Sequence, residues 1–294
     1  VVRATRVALV SARAAVGTDA DLPPLLRALA DAGLAPEVAC WDDPEVDWSS
    51  YRLAVLRSPW DYVPRYEEFL AWLGSADRLT NVLNRPEVVR WNTDKRYLRD
   101  LAAHHVPVVP TTFFEPSDEP PNPTELTPAT DDATDVVVKP VVSAGSKDTM
   151  RHSSHLAASD HVHDLLAAGR AVMVQPYQEA VDREGETGLV YFDGAFSHAF
   201  RKGPILRRDA APTDEFFAPE EITAREPSAA ERAVAAAAIT ASPPDLLYAR
   251  VDLVPDRDGA PLVLELELAE PSYFVAIAPE SARRFANCVA ARLR

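Results

Sequence analysis

Asp252, Glu265 and Glu267 carry the clearest hint of chemistry in this chain. Asp252 sits in the apolar run YARVDLV, and after a turn at Asp258-Gly259 the return run PLVLELEL carries the two glutamates two residues apart. Alternation along a strand puts Glu265 and Glu267 on one face, and an antiparallel partner can set Asp252 beside them. Carboxylates gathered in this way repel one another unless a cation neutralises them. Hard oxygen ligands suit magnesium, which takes one or two protein carboxylates and completes its shell with phosphate and water. On spacing alone a second reading stays open, in which the glutamates alternate outward on a solvated strand face.

The lysines are a second hint. Of the 30 basic residues only Lys95, Lys139, Lys147 and Lys202 are lysine; the other 26 are arginine. Lys139 closes the apolar run VVVKP and precedes a loop of small residues, VVSAGSKDT, whose backbone N–H groups could approach polyphosphate oxygens. Lys95 lies in WNTDK and Lys202 in HAFRK, and VMVQPY is followed by Gly185-Glu186. Each of these is weak evidence alone.

The elements that must position these residues read as alternating strands and helices. RVALV, then LPPLLRALADAG ending at Gly33, then PEVACW and RLAVLRSPWDY, form an α/β unit. It has no GxGxxG after its first strand, and the chain has no GxxxxGK[ST], so the dinucleotide fingerprint and the P-loop are both absent. A helix is expected from near Asn92, carrying Leu98 and Leu101, before a strand in VPVVPTTFF. Glu115 to Asp135 reads as an exposed connection with one turn of helix. Strands are expected again at VVVKP, AVMVQPY and TGLVYFDGAFSHAFRK, the last with a hairpin turn at Asp193-Gly194, and PSAAERAVAAAAITA reads as a helix opened by Ser228.

The chain order DK, VKP with its small-residue loop, VQPY, GE, HAFRK, ARVD and ELE resembles the ATP-grasp superfamily from about Asn84 onward. The resemblance implies an α/β fold in which a pre-ATP-grasp domain (1–90) precedes a small lobe (91–174) and a C-terminal lobe (175–294) that together clamp ATP. It implies phosphate contacts from Lys95, Lys139 and Lys202, and a closing loop over the γ-phosphate containing Ser143, Gly145, Ser146 and Lys147. Gln175, Pro176 and Tyr177 match the hinge that receives adenine, and Glu186 matches the ribose carboxylate. Asp252, Glu265 and Glu267 match the magnesium ligands, with Mn2+ as a substitute; many relatives have Asn where this chain has Glu267. Arg250 resembles the arginine that steadies the tetrahedral intermediate in the D-alanine ligase branch, so Arg250 and Lys202 are the expected catalytic cations. The implied reaction is ADP-forming: a carboxylate attacks the γ-phosphate and a nitrogen nucleophile captures the acyl phosphate.

RSPWDY, RWNTD, FSHAFRKGP and ELAEPSYF are similar to the branch of cyclo-ligases that close O-ureido-D-serine into D-cycloserine. That resemblance implies one small amino-acid substrate held by Arg250, Ser272, Ser58, Trp60 and Asp61, with Asp61 on the α-ammonium; a strand-ending turn with Trp60 in the core is the competing reading of SPWDY. A two-substrate ligase of the glutathione synthetase kind would use the same nucleotide residues. Zinc binding by His152, His155, His161 and His163 is a third reading, against which their mixed spacing and ordinary surface placement argue.

Composition trims the rest. A net charge of -15 argues against a nucleic-acid partner. No apolar run reaches the length of a membrane span, and the arginines near the start interrupt any signal-like stretch, so no membrane partner is expected. Cys40 and Cys288 lie far apart, which fits a reducing cytoplasm. Oligomeric state stays open, with a homodimer one option.

Overall fold

β1 (Arg6–Ser11), β2 (Ala35–Cys40), β3 (Leu53–Ser58) and β4 (Asn81–Leu83) form a parallel sheet in the order β2-β1-β3-β4. β1 and β3 are buried almost throughout, as central parallel strands must be when helices cover both faces. Alternation sorts their side chains: Val7, Leu9, Leu53 and Val55 pack with Leu22, Leu25 and Leu29 of α1 (Leu22–Asp31), while Ala8, Val10, Ala54 and Leu56 pack with Phe69, Leu73 and Ala76 of α2 (Tyr66–Ala76). In this computed structural model residues 4–119, 121–126, 135–206, 208 and 221–294 are described.

The expected single helix from Asn92 is instead two, α3 (Pro86–Thr93) and α4 (Tyr97–Ala103). Asp94 takes an extended conformation between them, and the Lys95 N–H leaves the helical ladder to donate to Val141 O at 3.1 Å. The expected strand in VPVVPTTFF shrinks to β5 (Thr112–Phe114), because Pro107 and Pro110 remove ladder donors. What precedes β5 makes only a bridge, with Val109 N–H donating to Val263 O and Val263 N–H to Pro107 O.

β5 joins β6 (Val136–Pro140), β7 (Met150–His152) and β8 (Val172–Pro176) in an antiparallel sheet of order β5-β8-β6-β7, backed by α5 (His155–Ala167). In the preceding connection one helical turn, Pro123–Glu125, is capped by Asn122, while 120 and 127–134 lie outside the described residues. After the short α6 (Val181–Glu184) come β9 (Glu186–Phe192), β10 (Ala195–Lys202), β11 (Ile222–Ala224), β12 (Tyr248–Pro255) and β13 (Pro261–Glu267), ordered β11-β10-β9-β12-β13. Asp193 and Gly194 both have positive φ, as the tight β9–β10 hairpin requires. α7 (Ala229–Ala241) packs behind this sheet and opens with the Ser228/Glu231 capping box.

β13 is an edge strand, and side chains satisfy its outer groups. Asn92 donates to Leu266 O at 2.7 Å and accepts from Leu268 N–H at 2.6 Å, while Tyr97 OH accepts from Leu266 N–H at 2.8 Å. α8 (Glu280–Ala291) bridges the first and last sheets: its Phe285, Ala286 and Val289 join a core shared by α1, the first sheet and β9, where Phe285 meets Phe192 edge-on.

Candidate active site

Strand register builds one charged face. Asp252 lies opposite Glu265, Arg250 opposite Glu267, Asp252 opposite Gly188, and Lys202 opposite Glu186. Directly opposed residues share a face, so carboxylates from three strands and cations from two point into one cavity floor. Gly188 is where this floor admits a ring: a Cβ built there would stand 2.2 Å from the buried Phe200 side chain, whose ring makes an edge contact with Phe274.

The charges neutralise one another. Lys95 Nζ pairs with Glu265 at 3.0 Å and donates to Ser143 O at 2.7 Å. Lys202 lies 2.8 Å from Glu186 and 3.7 Å from Asp252. Arg250 grips Asp252 through two hydrogen bonds of 2.9 and 2.7 Å and also donates to Glu267. Burial pushes Glu265 up, but the Lys95 and Lys139 ammoniums override it and hold the carboxyl at about 2. Burial pushes Glu267 up to about 8; Arg250 opposes this, and the neighbouring Asp252 and Glu265 charges add to it.

Because Arg250 and Lys95 each hold a member of the expected metal trio, no three acidic, histidine or cysteine side chains converge on a metal position among the described residues. The donor set still suits a hard dication. Magnesium needs only one or two carboxylates once phosphates complete its shell, and the elevated Glu267 marks a surplus of negative charge.

β6 and β8 supply the opposing wall. Lys139 ends β6, 7% exposed, and burial lowers its ammonium to about 8, with Lys95 and Lys202 adding to the effect. Gln175, Pro176 and Tyr177 line the cavity beside the apolar Val137, Val254 and Leu264. The Gln175 side chain donates to Thr111 at 2.9 Å, and the Tyr177 N–H is committed to Asp135 O. Arg151 stacks 3.5 Å over the Tyr177 ring, and the Tyr177 hydroxyl donates to Asp182. Ser143, Gly145 and Ser146 line the cavity, whereas Lys147 is exposed and off its wall. Gly145, Ser146 and Asp148 all have positive φ, so this loop is held in a left-handed backbone at two residues that carry side chains.

On the amino-acid side the structure corrects part of the sequence reading. Trp60 and Ser272 line the cavity, but Ser58 and Asp61 do not. Ser58 is fully buried and donates to Ser11, and Asp61 accepts from Trp41 at 2.8 Å and from Arg65 at 3.1 Å. Missed by sequence reasoning were Tyr62 and Glu270, both on the wall, where the Tyr62 phenol stands beside the Glu270 carboxyl and opposes the rise that burial gives it. Also missed was Arg57, 0% exposed, which donates to Pro271 O at 2.7 Å and lies 3.3 Å from Asp19 and 3.5 Å from Asp21. Asp21 in turn accepts the N–H groups of Tyr273, Phe274 and Val275 at 2.6, 3.0 and 2.7 Å. Neither carried a sequence signal: β3 ends at Ser58, so alternation does not extend to Tyr62, and Tyr62 and Glu270 lie more than two hundred residues apart.

The histidine-rich segment does not form a metal site among the described residues. His152 on β7 and His161 on α5 hydrogen-bond to each other at 3.0 Å, and Ser154 caps α5 between them.

Comparison with known proteins agrees with this geometry. Residues 7–84 match the family described as "D-cycloserine synthetase DcsG, N-terminal domain". Cycloserine biosynthesis protein DcsG of Streptomyces lavendulae is 44% identical over 98% of this chain and 99% of its own. The crystal structure of D-cycloserine synthetase DcsG superimposes with a TM-score of 0.89 at 42% identity, covering 98% of this chain and 100% of that one. The ATP-grasp ligase PsnB, solved with a phosphomimetic precursor, Mg and ADP, shares the fold at a TM-score of 0.66 and 19% identity, with 99% of both chains covered.

Proposed function

Because the chain belongs to the D-cycloserine synthetase family of ATP-grasp ligases, we propose that it forms D-cycloserine from O-ureido-D-serine with hydrolysis of ATP to ADP. The observation that carries this reading is the meeting, in one cavity, of phosphate-type ammoniums with the carboxylates they neutralise: Lys95 with Glu265, and Lys202 with Glu186 and Asp252.

ATP enters as a substrate between the two sheets. Its adenine meets the hinge at Gln175, Pro176 and Tyr177, its ribose Glu186, and its phosphates Lys95, Lys139, Lys202 and the Ser143, Gly145, Ser146 loop, which Lys147 joins on closure. Magnesium, the general requirement of these ligases, would be held by Asp252, Glu265 and Glu267 together with the phosphates, and supplies charge neutralisation on the transferring group; Mn2+ substitutes as another hard dication. Arg250 stands between those carboxylates and Ser272, whose carbonyl it reaches at 3.2 Å. From there it orients the substrate carboxylate for attack on the γ-phosphate and, with Lys202, stabilises negative charge as it moves. The oxygen-bound ureido nitrogen then attacks the acyl carbon, losing its proton and expelling phosphate to close the ring, and water removes the carbamoyl group as carbamate, which breaks down to CO2 and ammonia. An internal nucleophile needs no second substrate site, and tethering makes the capture effectively unimolecular.

The amino-acid substrate is a small molecule, and the setting we propose is the cytoplasm. No helix among the described residues is long and apolar enough to cross a membrane. The test is ADP release with O-ureido-D-serine, with and without an added amine, in the presence of Mg2+ or Mn2+. Release without an amine, together with D-cycloserine in the product mixture, is the expected result; strict dependence on a second amine substrate would replace this reading with a two-substrate ligase.

A further inference from the structure

We propose that Glu270, held by Tyr62 and Trp60, accepts the α-ammonium group of the amino-acid substrate. This assignment rests on the amino-acid ligase reading above. Glu270 lies on the cavity wall, three residues beyond Glu267 and two before Ser272. The Tyr62 phenol, 2% exposed, stands beside its carboxyl, and Trp60 Nε1 donates to its main-chain carbonyl at 3.3 Å. Behind it, Arg57 holds Pro271 and Asp21 holds three consecutive N–H groups, so the segment carrying Glu270 is anchored on both sides.

Three observations point to a cation as its missing partner. The other carboxylates of the cavity already face cations: Glu186 faces Lys202, Glu265 faces Lys95, and Asp252 and Glu267 face Arg250. Glu270 makes no ion pair among the described residues, and the polar group beside it is the neutral Tyr62 phenol. Burial pushes it up to about 7 against the pull of Tyr62 and Lys95, with the Glu265 charge adding to the rise, so an arriving cation relieves an existing strain. Finally, an ammonium and a carboxylate on the same carbon must be recognised by adjoining groups. Arg250, which reaches Ser272 O, is close enough to Glu270 for its charge to act on that carboxyl. Asp61, the residue first expected in this role, is occupied by Trp41 and Arg65 and faces away from the cavity.

The experiment compares ADP release from O-ureido-D-serine and from its deamino analogue, ureidooxypropanoate, in the unmodified enzyme, Glu270→Gln, Glu270→Asp and Tyr62→Phe. The unmodified enzyme should favour the amino compound about 10- to 100-fold in kcat/KM, the worth of a charge-assisted hydrogen bond. Glu270→Gln should abolish most of that preference through KM, leave KM for ATP unchanged, and turn over the deamino compound as the unmodified enzyme does. A merely structural lesion would slow both compounds alike. Glu270→Asp should restore part of the preference, and Tyr62→Phe should lower it. A preference that survives in Glu270→Gln overturns the proposal, as does a fall in kcat at constant KM, which would make Glu270 a proton acceptor instead. Unmodified enzyme that turns over both compounds equally sinks the ammonium site alone; no ADP from either sinks the proposed function with it.

Discussion

At the scale of single residues, lysine at the positions we propose for phosphate contact has a consequence that arginine would not. Lys139 is buried enough that its ammonium sits at about 8 instead of its usual 10.5. Below that pH it offers a compact positive charge to a phosphate oxygen; above it the charge fades while ATP keeps its own. We expect KM for ATP to rise as pH passes about 8, and the rise to disappear in Lys139→Arg, whose guanidinium stays charged; an identical pH profile in both enzymes would contradict this. The shared face of Asp252, Glu265 and Glu267 was readable because strand alternation and a DG turn are local, and both survive in the register of β12 and β13. Ser58 and Asp61 were misplaced because alternation at a strand end does not say which side faces the cavity. Glu270 was not legible at all, since its meaning comes from Tyr62 across a fold the sequence does not display.

At the scale of elements, Gly188 shows how closely β9 and β10 approach a functional face. An alanine methyl would have to displace Phe200, a fully buried ring that packs on Phe274 beside Arg250. Gly188→Ala should cost about 1–3 kcal/mol in denaturant unfolding and lower activity with it, as overpacking does. β7 and α5 carry a different liability. Burial, with the His152 charge adding to it, holds His161 down at about 4, while Asp148 and Asp164 oppose and Arg170 reinforces the shift. Unfolded, the same imidazole protonates near 6.5, so between about 6.5 and 4 the unfolded chain binds the extra proton. Stability due to this group is thus present above 6.5 and drains away as pH falls toward 4. The urea midpoint should drop across that window, and less steeply in His161→Gln. The break between α3 and α4 belongs at this scale too: the Lys95 N–H donates to Val141 O, and the extended Asp94 takes the Arg96 N–H on its side chain.

At the scale of the whole molecule, the first sheet and the last segments of the chain are one structure. Asp21 on the first domain fixes three N–H groups of the segment after β13, and through it the wall that carries Ser272 and Phe274. Asp21→Asn should cost about 1–3 kcal/mol in thermal unfolding and raise KM for the amino-acid substrate while leaving KM for ATP flat; a change confined to stability would remove this domain from substrate placement. The order of strands and helices was visible in the sequence signals, but this interlock was not, because nothing near residue 21 announces residue 273. The net charge of -15 also gains a location, since part of it forms the cavity floor where we propose that a metal-bound nucleotide sits. α8 carries the same interlock further. Its Phe285 and Val289 complete a core whose other half is Val7, Leu9 and Leu25. During synthesis from the N-terminal side, therefore, α1 and the first sheet wait with an apolar face uncovered until α8 has emerged, and it is a nascent chain stalled after β13 that a chaperone would have to shield.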